Sequence, residues 1–281
     1  MEPLDRTYKT ADGSELPVRL WRPDRVRAAL VYLHGIQSHR GWYEASSRYL
    51  AGAGVAVFQV ERRGSGVDRA HERGHVDRAE TWLDDVSAAA EFARREAGVP
   101  GVHLLGVSWG GKLALASAGA QPGLYRSLML AAPGIFPKVD PALGVKVRVA
   151  QSLMAGRPLG RFPIPLGDPE LFTANPERQR FIASDPLSLR EVTARFMFES
   201  RRLDRLARAA AGRVRAPTLL ALAEQDRIID NEATRALVLA MPVRRRIWVY
   251  AGAHHTLDFE PDPGGYFRDL AAWIEGVESG A

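Results

Sequence analysis

Short apolar runs alternate along the chain with longer amphipathic stretches. The apolar runs are rich in Val, Ile, Leu and aromatic residues and end at Gly, Pro or charged residues, which is typical of strands buried on both faces. The predicted strands are 18–21, 28–33, 55–60, 102–106, 128–132, 218–223 and 246–250. The predicted helices are 42–53, 77–97, 110–120, 232–240 and 266–276. This alternation predicts an α/β fold with a mostly parallel central sheet and helices on both faces.

The segment 135–206 interrupts this alternation. It has no strand pattern and is divided by eight prolines, yet it is rich in apolar residues. A connection of this length should not be structureless in a globular protein. We therefore predict that 135–206 forms a helical cap inserted over the carboxyl edge of the sheet, and that 1–134 and 207–281 form the core.

Composition excludes several classes of protein. The chain has 281 residues, 46% of them hydrophobic, and no cysteine, which excludes disulfides, thiolate zinc sites and cysteine nucleophiles. The N-terminus has an acidic residue at position 2 and no apolar core, so it does not predict a secretory signal. No apolar run approaches the ~18 residues needed to cross a bilayer. We expect a cytoplasmic enzyme.

The formal net charge of +5 and the pI of about 9.7 raise the question of a nucleic-acid partner. The arginines are scattered and interleaved with acidic residues. The densest clusters, Arg62-Arg63 and Arg244-Arg245-Arg246, have no aromatic residues between them. We interpret them as parts of a solvated arginine-rich surface and predict no nucleic-acid binding.

The segment Gly106-Val107-Ser108-Trp109-Gly110 follows a predicted strand and leads into an alanine-rich helix. A serine at the tip of such a strand-to-helix turn has strained backbone geometry, and glycines two residues before and after it leave space for the neighbouring chain. The turn also directs the Trp109 N–H towards the place where an oxyanion would form. We predict Ser108 as a nucleophile.

A serine hydroxyl needs a base to remove its proton, and an acid to orient that base. Asp226 follows the strand 218–223 and is the preferred acid, ahead of Glu224 and of Asp230, which we expect to cap the next helix. The last predicted strand leads to His254 and His255, where the base of such a triad belongs.

A second oxyanion donor must come from the loop after the strand 28–33, which ends in His34-Gly35. We predict the main-chain N–H of Ile36 as this donor, together with that of Trp109. His34 and Gln37 are candidates for contact with substrate. For His34 we favour a competing role, in which a buried imidazole fixes the loop by hydrogen bonds.

Several motifs together resemble the monoacylglycerol lipase and lysophospholipase-like branch of the α/β-hydrolases, which is sometimes grouped with the serine aminopeptidases. The resemblance covers nearly the whole chain. It rests on His34-Gly35 with Gly41 and Tyr43, Arg63-Gly64-Ser65-Gly66, Gly106 to Gly110, Asp185-Pro186-Leu187, Gln225-Asp226-Arg227-Ile228 and Gly252-Ala253-His254-His255-Thr256-Leu257.

The resemblance implies hydrolysis of carboxylic esters with a lipophilic acyl chain, beneath a cap that supplies an apolar pocket. In that family the base is the histidine separated by one residue from a leucine, which selects His255. The chain departs from the family at Gln37, where a glycine is common, and at Glu61 and Asp68, where aspartate and serine are usual. Because Gln37 and the 61–68 loop should lie near the acyl-binding mouth, these departures bear on the substrate.

Two other motifs suggest different chemistry. His71-Glu72-Arg73-Gly74-His75 matches the H-E-x-x-H zinc pattern, but Gly74 lies inside it and no third ligand is evident. Arg63-Gly64-Ser65-Gly66 lacks the lysine and the third glycine of nucleotide-binding loops. We predict no metal and no cofactor.

The expected partner is a small lipophilic ester, with transient contact to a membrane surface as a further option. An amidase, peptidase or acyltransferase would use the same triad, and these activities stay open at this point. A binding protein on a hydrolase scaffold is the alternative from another functional class.

Overall fold

A mostly parallel sheet of eight strands forms the centre of the protein, in a computed structural model that describes residues 1–280. Ten strands lie within residues 1–280: β1 Leu4–Lys9, β2 Glu15–Trp21, β3 Ala28–Leu33, β4 Val55–Val60, β5 Val102–Val107, β6 Tyr125–Ala131, β7 Arg161–Pro163, β8 Glu191–Thr193, β9 Thr218–Ala223 and β10 Arg245–Tyr250. The order in the main sheet is β1-β2-β4-β3-β5-β6-β9-β10.

Strands β3, β4, β5, β6, β9 and β10 pair in parallel, whereas β1 and β2 join the sheet in antiparallel pairs. Every residue of β3, β4, β5 and β9 is buried, which explains their unbroken apolar sequences. The predicted parallel sheet is confirmed. Strand β1 was not predicted, because its sequence is mostly polar and only Tyr8 is buried.

Helices cover both faces of this sheet. Their bounds are α1 Glu44–Gly52, α2 Ala79–Ala97, α3 Trp109–Ala120, α4 Leu143–Met154, α5 Pro176–Ser184, α6 Ala194–Ala210, α7 Asn231–Leu239 and α8 Gly264–Glu278. Helices α2 and α3 contact each other and the strands β3 and β5, whereas α1 and α8 form a separate contacting pair. No helix within residues 1–280 is long and apolar enough to cross a membrane.

The chain between β6 and β9 forms α4, β7, α5, β8 and α6. The expectation that 135–206 contains no strand is wrong, since β7 and β8 pair antiparallel over three residues each. Strands this short are below the length at which alternation can be recognised. Helix α6 also continues through position 206 to Ala210 and packs against α3 and α2.

Candidate active site

Ser108 occupies the sharp turn between β5 and α3. Its backbone has φ 54° and ψ −121°, a region that residues other than glycine rarely adopt. Hydrogen bonds hold this conformation in place: Ser108 N–H donates to Ala131 O at 2.9 Å, and Ser108 O accepts from the N–H groups of Gly111 and Gly134 at 2.8 and 2.7 Å. The surrounding chain therefore maintains the strained turn.

Gly106 and Gly110 allow the chain to pass close by on both sides of this turn. A Cβ atom at Gly106 would lie 2.3 Å from Gly110 O, and one at Gly110 would lie 2.5 Å from Leu33 O. Both contacted atoms, Gly110 O and Leu33 O, belong to the backbone, so they could move only if the backbone itself shifted. Any side chain at either position would force β5, α3 or the end of β3 apart.

Ser108, His255 and Asp226 form a continuous hydrogen-bonded chain. His255 Nε2 lies 2.8 Å from Ser108 Oγ, and His255 Nδ1 lies 2.8 Å from Asp226 Oδ2. With a proton on Nδ1 donated to the carboxylate, Nε2 is free to accept the serine proton. The other carboxylate oxygen, Asp226 Oδ1, accepts from the N–H groups of Ile228 and Ile229 at 2.8 and 3.0 Å.

The environment of Asp226 favours its ionised form. Burial alone would raise the pKa of this carboxyl group, but the adjacent His255 and the N–H groups of Ile228 and Ile229 outweigh burial and hold the pKa below its usual value. The carboxylate is therefore charged and fixed in orientation, as an acid that positions an imidazole must be.

The alternative triad candidates have other partners. Asp230 accepts from Ala233 N–H at 3.0 Å as the cap of α7, and Glu224 Oε2 accepts from Gly252 N–H at 2.8 Å. His254 Nδ1 lies 3.6 Å from Glu260 Oε1. None of these three candidates takes part in the hydrogen-bonded chain of Ser108.

Ile36 and Trp109, the predicted oxyanion donors, border the same cavity as Ser108. Within residues 1–280 neither main-chain N–H donates to a main-chain or side-chain acceptor. Trp109 begins α3, where the helix dipole adds partial positive charge. The main-chain N–H groups of Ile36 and Trp109 are therefore available as donors to an oxyanion formed on Ser108.

The predicted substrate contacts of His34 and Gln37 need correction, because neither residue lines the cavity. His34 is 3% exposed, and its Nε2 accepts from Arg62 N–H at 3.0 Å while its Nδ1 lies 2.8 Å from Gly35 O. Burial lowers the pKa of His34. Because the Gly35 carbonyl can only accept, its hydrogen bond with His34 requires a proton on Nδ1. Gln37 is 2% exposed, and its main-chain carbonyl accepts from Leu189 N–H at 2.9 Å.

The 61–68 loop, expected at the acyl-binding mouth, is also packed inside the protein. Arg62 and Arg63 are 7% and 8% exposed, so the interpretation of this pair as solvated surface was wrong. Arg63 forms an ion pair with Asp85 at 2.6 Å. Arg62 donates to two main-chain carbonyls of the loop after β3. Arg62 lies two residues after the end of β4, which pairs with β3, and this position was the sequence feature that could have indicated the contact.

A cavity of about 550 Å³ opens above Ser108. Its walls are mostly apolar and come largely from the segment between β6 and β9. Apolar lining residues include Val139, Val149, Leu153, Met154, Ile164, Leu166, Val192, Phe196, Met197, Ile228 and Ile229. A volume of this size is typical of sites for small organic ligands.

The charged residues of the cavity wall are paired with one another. Lys112 Nζ lies 2.5 Å from Asp204 Oδ1 and 3.0 Å from Ser200 Oγ, and burial lowers its pKa. Asp140 forms ion pairs with Lys146 and Arg201. Both carboxylates of the lining thus have a cationic partner. The sequence motifs did not indicate Lys112, which lies one helical turn after Ser108.

The two histidines of the H-E-x-x-H motif do not converge. His71 Nδ1 lies 2.8 Å from Asp68 Oδ2, whereas His75 Nδ1 lies 2.9 Å from Thr193 Oγ1. In residues 1–280 no group of three or more His, Cys, Asp or Glu residues has an arrangement that could hold a metal ion.

Comparison with known proteins identifies the family. The model of the serine aminopeptidase, S33 family matches residues 24–262, which is most of the chain. The chain belongs to this family. Within it, the chain is 29% identical to a monoglyceride lipase of Homo sapiens over 272 residues, covering 94% of this chain and 88% of the relative. It is 24% identical to a monoacylglycerol lipase of Mycolicibacterium smegmatis, covering 96% of each chain.

Solved structures show the same fold. A soluble variant of monoglyceride lipase from Saccharomyces cerevisiae superposes with a TM-score of 0.85 at 19% identity, covering 99% of this chain and 96% of that one. The monoacylglycerol lipase of Paleococcus ferrophilus superposes with a TM-score of 0.79 at 23% identity over the whole of both chains. The predicted α/β-hydrolase fold and the resemblance to its monoacylglycerol lipase-like branch are confirmed.

Proposed function

We propose that this member of the serine aminopeptidase, S33 family hydrolyses carboxylic esters with a lipophilic acyl chain. The observation that carries the proposal is the mostly apolar cavity of about 550 Å³ that Ser108 borders, with His255 Nε2 2.8 Å from the Ser108 hydroxyl oxygen. A nucleophile at the wall of an apolar cavity suits a substrate whose reactive carbonyl is attached to a hydrocarbon chain.

The catalytic cycle begins when Ser108 Oγ attacks the ester carbonyl carbon while His255 Nε2 takes the hydroxyl proton. The carbonyl oxygen becomes an oxyanion that accepts hydrogen bonds from the N–H groups of Ile36 and Trp109. His255 then protonates the departing alcohol, which leaves an acyl group on Ser108. Asp226 keeps the imidazole in the required tautomer and stabilises its charged form.

Water attacks the acyl-enzyme in the second half of the cycle. His255 accepts a proton from this water, the second tetrahedral intermediate collapses, and the serine oxygen recovers the proton as the fatty acid leaves. These steps need only the side chains of Ser108, Asp226 and His255 and the two main-chain donors. The relatives named as monoglyceride and monoacylglycerol lipases support this assignment.

A peptidase activity, which the family description suggests, fits the cavity less well. An aminopeptidase must bind the positively charged amino terminus of its substrate, for which a free carboxylate is the natural partner. The two carboxylates of the cavity lining, Asp204 and Asp140, already form ion pairs with Lys112 and with Lys146 and Arg201. The apolar walls therefore favour an acyl chain over a peptide amino terminus.

The proposal is tested by a series of p-nitrophenyl esters from acetate to palmitate, compared with aminoacyl p-nitroanilides. We expect kcat/KM to peak at medium or long acyl chains, with no turnover of the anilides. Turnover of the anilides alone would show a peptidase. If the protein turned over neither class and did not react with a serine-directed phosphonate, it would be a binding protein on a hydrolase scaffold.

A further inference from the structure

The guanidinium group of Arg62 contacts both residues that supply the proposed oxyanion donors. Its Nη1 donates to Gly35 O at 3.0 Å and its Nη2 donates to Ile36 O at 2.7 Å. Its central carbon also lies 4.7 Å from the centre of the Trp109 ring and 5.6 Å from that of Phe196. One side chain therefore links the loop after β3 to the first residue of α3.

The bond to Gly35 O determines where the Ile36 N–H points. The carbonyl of Gly35 and the N–H of Ile36 belong to one planar peptide unit, and the structure contains no cis peptide within residues 1–280. In a trans peptide the C=O and N–H bonds point in opposite directions. An arginine that fixes the carbonyl on one side thereby fixes the direction of the N–H of Ile36, a residue that lines the cavity.

We propose that Arg62 is a positioning residue for the oxyanion hole, which orients and polarises the Gly35–Ile36 peptide and holds it in register with Trp109. This inference rests on the proposed function. Hydrogen bonds in series through a peptide unit reinforce each other, so a cation on the carbonyl makes the opposite N–H a stronger donor. The effect would be greatest when the oxyanion carries its full charge.

The surroundings of Arg62 suit this role. Burial lowers the pKa of Arg62 to about 10, so the side chain stays cationic at neutral pH. Neither of the two hydrogen bonds of its guanidinium goes to a carboxylate; both go to main-chain carbonyls of the loop. His34 supports the same peptide, because its Nδ1 proton is shared with Gly35 O at 2.8 Å.

Arg63 provides a matched comparison within the same loop. It is as buried as Arg62, but its guanidinium binds the Asp85 carboxylate at 2.6 and 3.0 Å and lies 3.0 Å from Asp12 Oδ2. Asp12 lies in the connection between β1 and β2, and Asp85 lies in α2. Neither residue borders the cavity. A lysine at either position keeps the charge and loses the two-pronged geometry.

The test compares Arg62→Lys and Arg62→Met with the control Arg63→Lys, using the p-nitrophenyl ester that the wild type hydrolyses best. Three quantities are measured: kcat, KM and the affinity for a trifluoromethyl ketone of the same chain length. In this inhibitor the serine oxygen adds to the carbonyl carbon, His255 takes the serine proton, and the carbonyl oxygen becomes an oxyanion. Its affinity therefore reports on the oxyanion hole. Thermal unfolding of each variant measures any loss of stability.

We expect kcat to fall about 100-fold in Arg62→Met and about 10-fold in Arg62→Lys, with KM within threefold of the wild type. The reason is that an Ile36 N–H that is no longer held in place stabilises the oxyanion almost as poorly as if this donor were absent. The affinity for the trifluoromethyl ketone should fall by the same factor as kcat/KM. Arg63→Lys should unfold at a lower temperature and keep kcat within threefold. If Arg62→Met does not fold, Arg62→Lys decides the question.

Two results would overturn the inference. The first is that Arg62→Lys keeps its kcat within threefold of the wild type, and that Arg62→Met does so too if it folds. The other is an equal loss of kcat in Arg63→Lys at the same loss of stability, which would make Arg62 a purely structural residue. The variant Ser108→Ala separates these failures from a failure of the proposed function. An inactive Ser108→Ala enzyme with unaffected Arg62 variants would remove only the role of Arg62.

Discussion

At the scale of single residues, three carboxylates close together in the chain have different roles because their donors differ. Asp226 binds His255 through one oxygen and two N–H groups through the other. Asp230 caps α7, and Glu224 accepts from Gly252 N–H. Only the first arrangement holds an imidazole in one tautomer. Chemical type alone would not separate these residues, whereas their hydrogen bonds do.

Replacing Asp226 with asparagine should lower kcat by about 10⁴-fold, because the amide no longer holds a proton on His255 Nδ1 and the imidazole loses its stabilising charge. Asp230→Asn is the matched control. Asparagine is also a good helix cap, so this variant should keep its kcat and lose well under about 1 kcal/mol of stability. Ester turnover by both variants checks the prediction. Full activity in Asp226→Asn with loss in Asp230→Asn would move the acid to position 230.

Motif spacing led to Ser108, to Asp226 and to the pair His254-His255, since each follows a predicted strand where such chemistry needs a side chain. The family resemblance then selected His255 from the pair. The same approach failed for Arg62. A charged residue in a scattered arginine population is expected at the surface, and its burial depends on two carbonyls that lie 26 and 27 residues earlier in the chain. For His34, the favoured role of a buried imidazole that fixes the loop agrees with its hydrogen bonds to Gly35 and Arg62. For Gln37, no feature of the sequence indicated that it lies outside the cavity lining.

At the scale of secondary structure elements, helix α4 differs from the helices of the core. None of its residues is buried, yet Lys146, Val149, Ala150, Leu153 and Met154 line the cavity. Val147, on the same helix, is 47% exposed and does not line the cavity. The helix thus forms a wall of the binding space without contributing a packed interior. Its sequence can change the cavity at little cost in stability.

Replacing Ala150 with phenylalanine should shorten the acyl chains that the enzyme accepts, since the larger ring occupies part of the cavity. We expect kcat/KM for a decanoate ester to fall at least about 10-fold. A fall of this size corresponds to the loss of apolar contacts that contribute about 1–2 kcal/mol to transition-state binding. The value for an acetate ester should stay within twofold.

Val147→Phe is the control for this change, because it adds a similar ring to the same helix outside the cavity. It should leave both esters unaffected. Equal losses for acetate and decanoate in Ala150→Phe would indicate disruption of the helix rather than a filled cavity. A normal chain-length profile in Ala150→Phe would place the acyl chain elsewhere.

The core elements were predictable because their patterns are long. The helices α2, α3 and α7 begin within two residues of the predicted positions, and four buried strands match their apolar runs within one residue at each end. The segment between β6 and β9 was less predictable. Strands β7 and β8 are too short to show alternation, and their pairing depends on tertiary contacts. The boundaries of a cap at 135 and 206 stay a prediction.

At the scale of the whole molecule, the order of the strands assembles the site. The three triad residues each follow a different strand: Ser108 follows β5, Asp226 follows β9 and His255 follows β10. These strands lie in one half of the sheet, in the order β5-β6-β9-β10. Parallel strands end at a common edge, so residues 118 and 29 positions apart along the chain are brought together there. The sequence predicted a parallel sheet but could not give this strand order.

The shared edge also explains why the cavity lies where it does. The segment between β6 and β9 leaves the sheet beside β5 and returns beside β10 through α6, which packs against α3. Residues of this segment line the cavity that Ser108 borders. An ester bound under this segment would have its carbonyl at the sheet edge and its hydrocarbon among the apolar walls.

The acyl-enzyme tests the account most directly. Wild-type protein and Ser108→Ala are mixed with a p-nitrophenyl ester, quenched in acid within milliseconds and mapped by peptide mass. We predict one acyl group on the peptide that contains Ser108 in the wild type, and neither an acyl group nor measurable turnover in folded Ser108→Ala, whose kcat should fall by about 10⁴-fold or more. Near-normal turnover in Ser108→Ala, or acylation at another residue, would contradict the account.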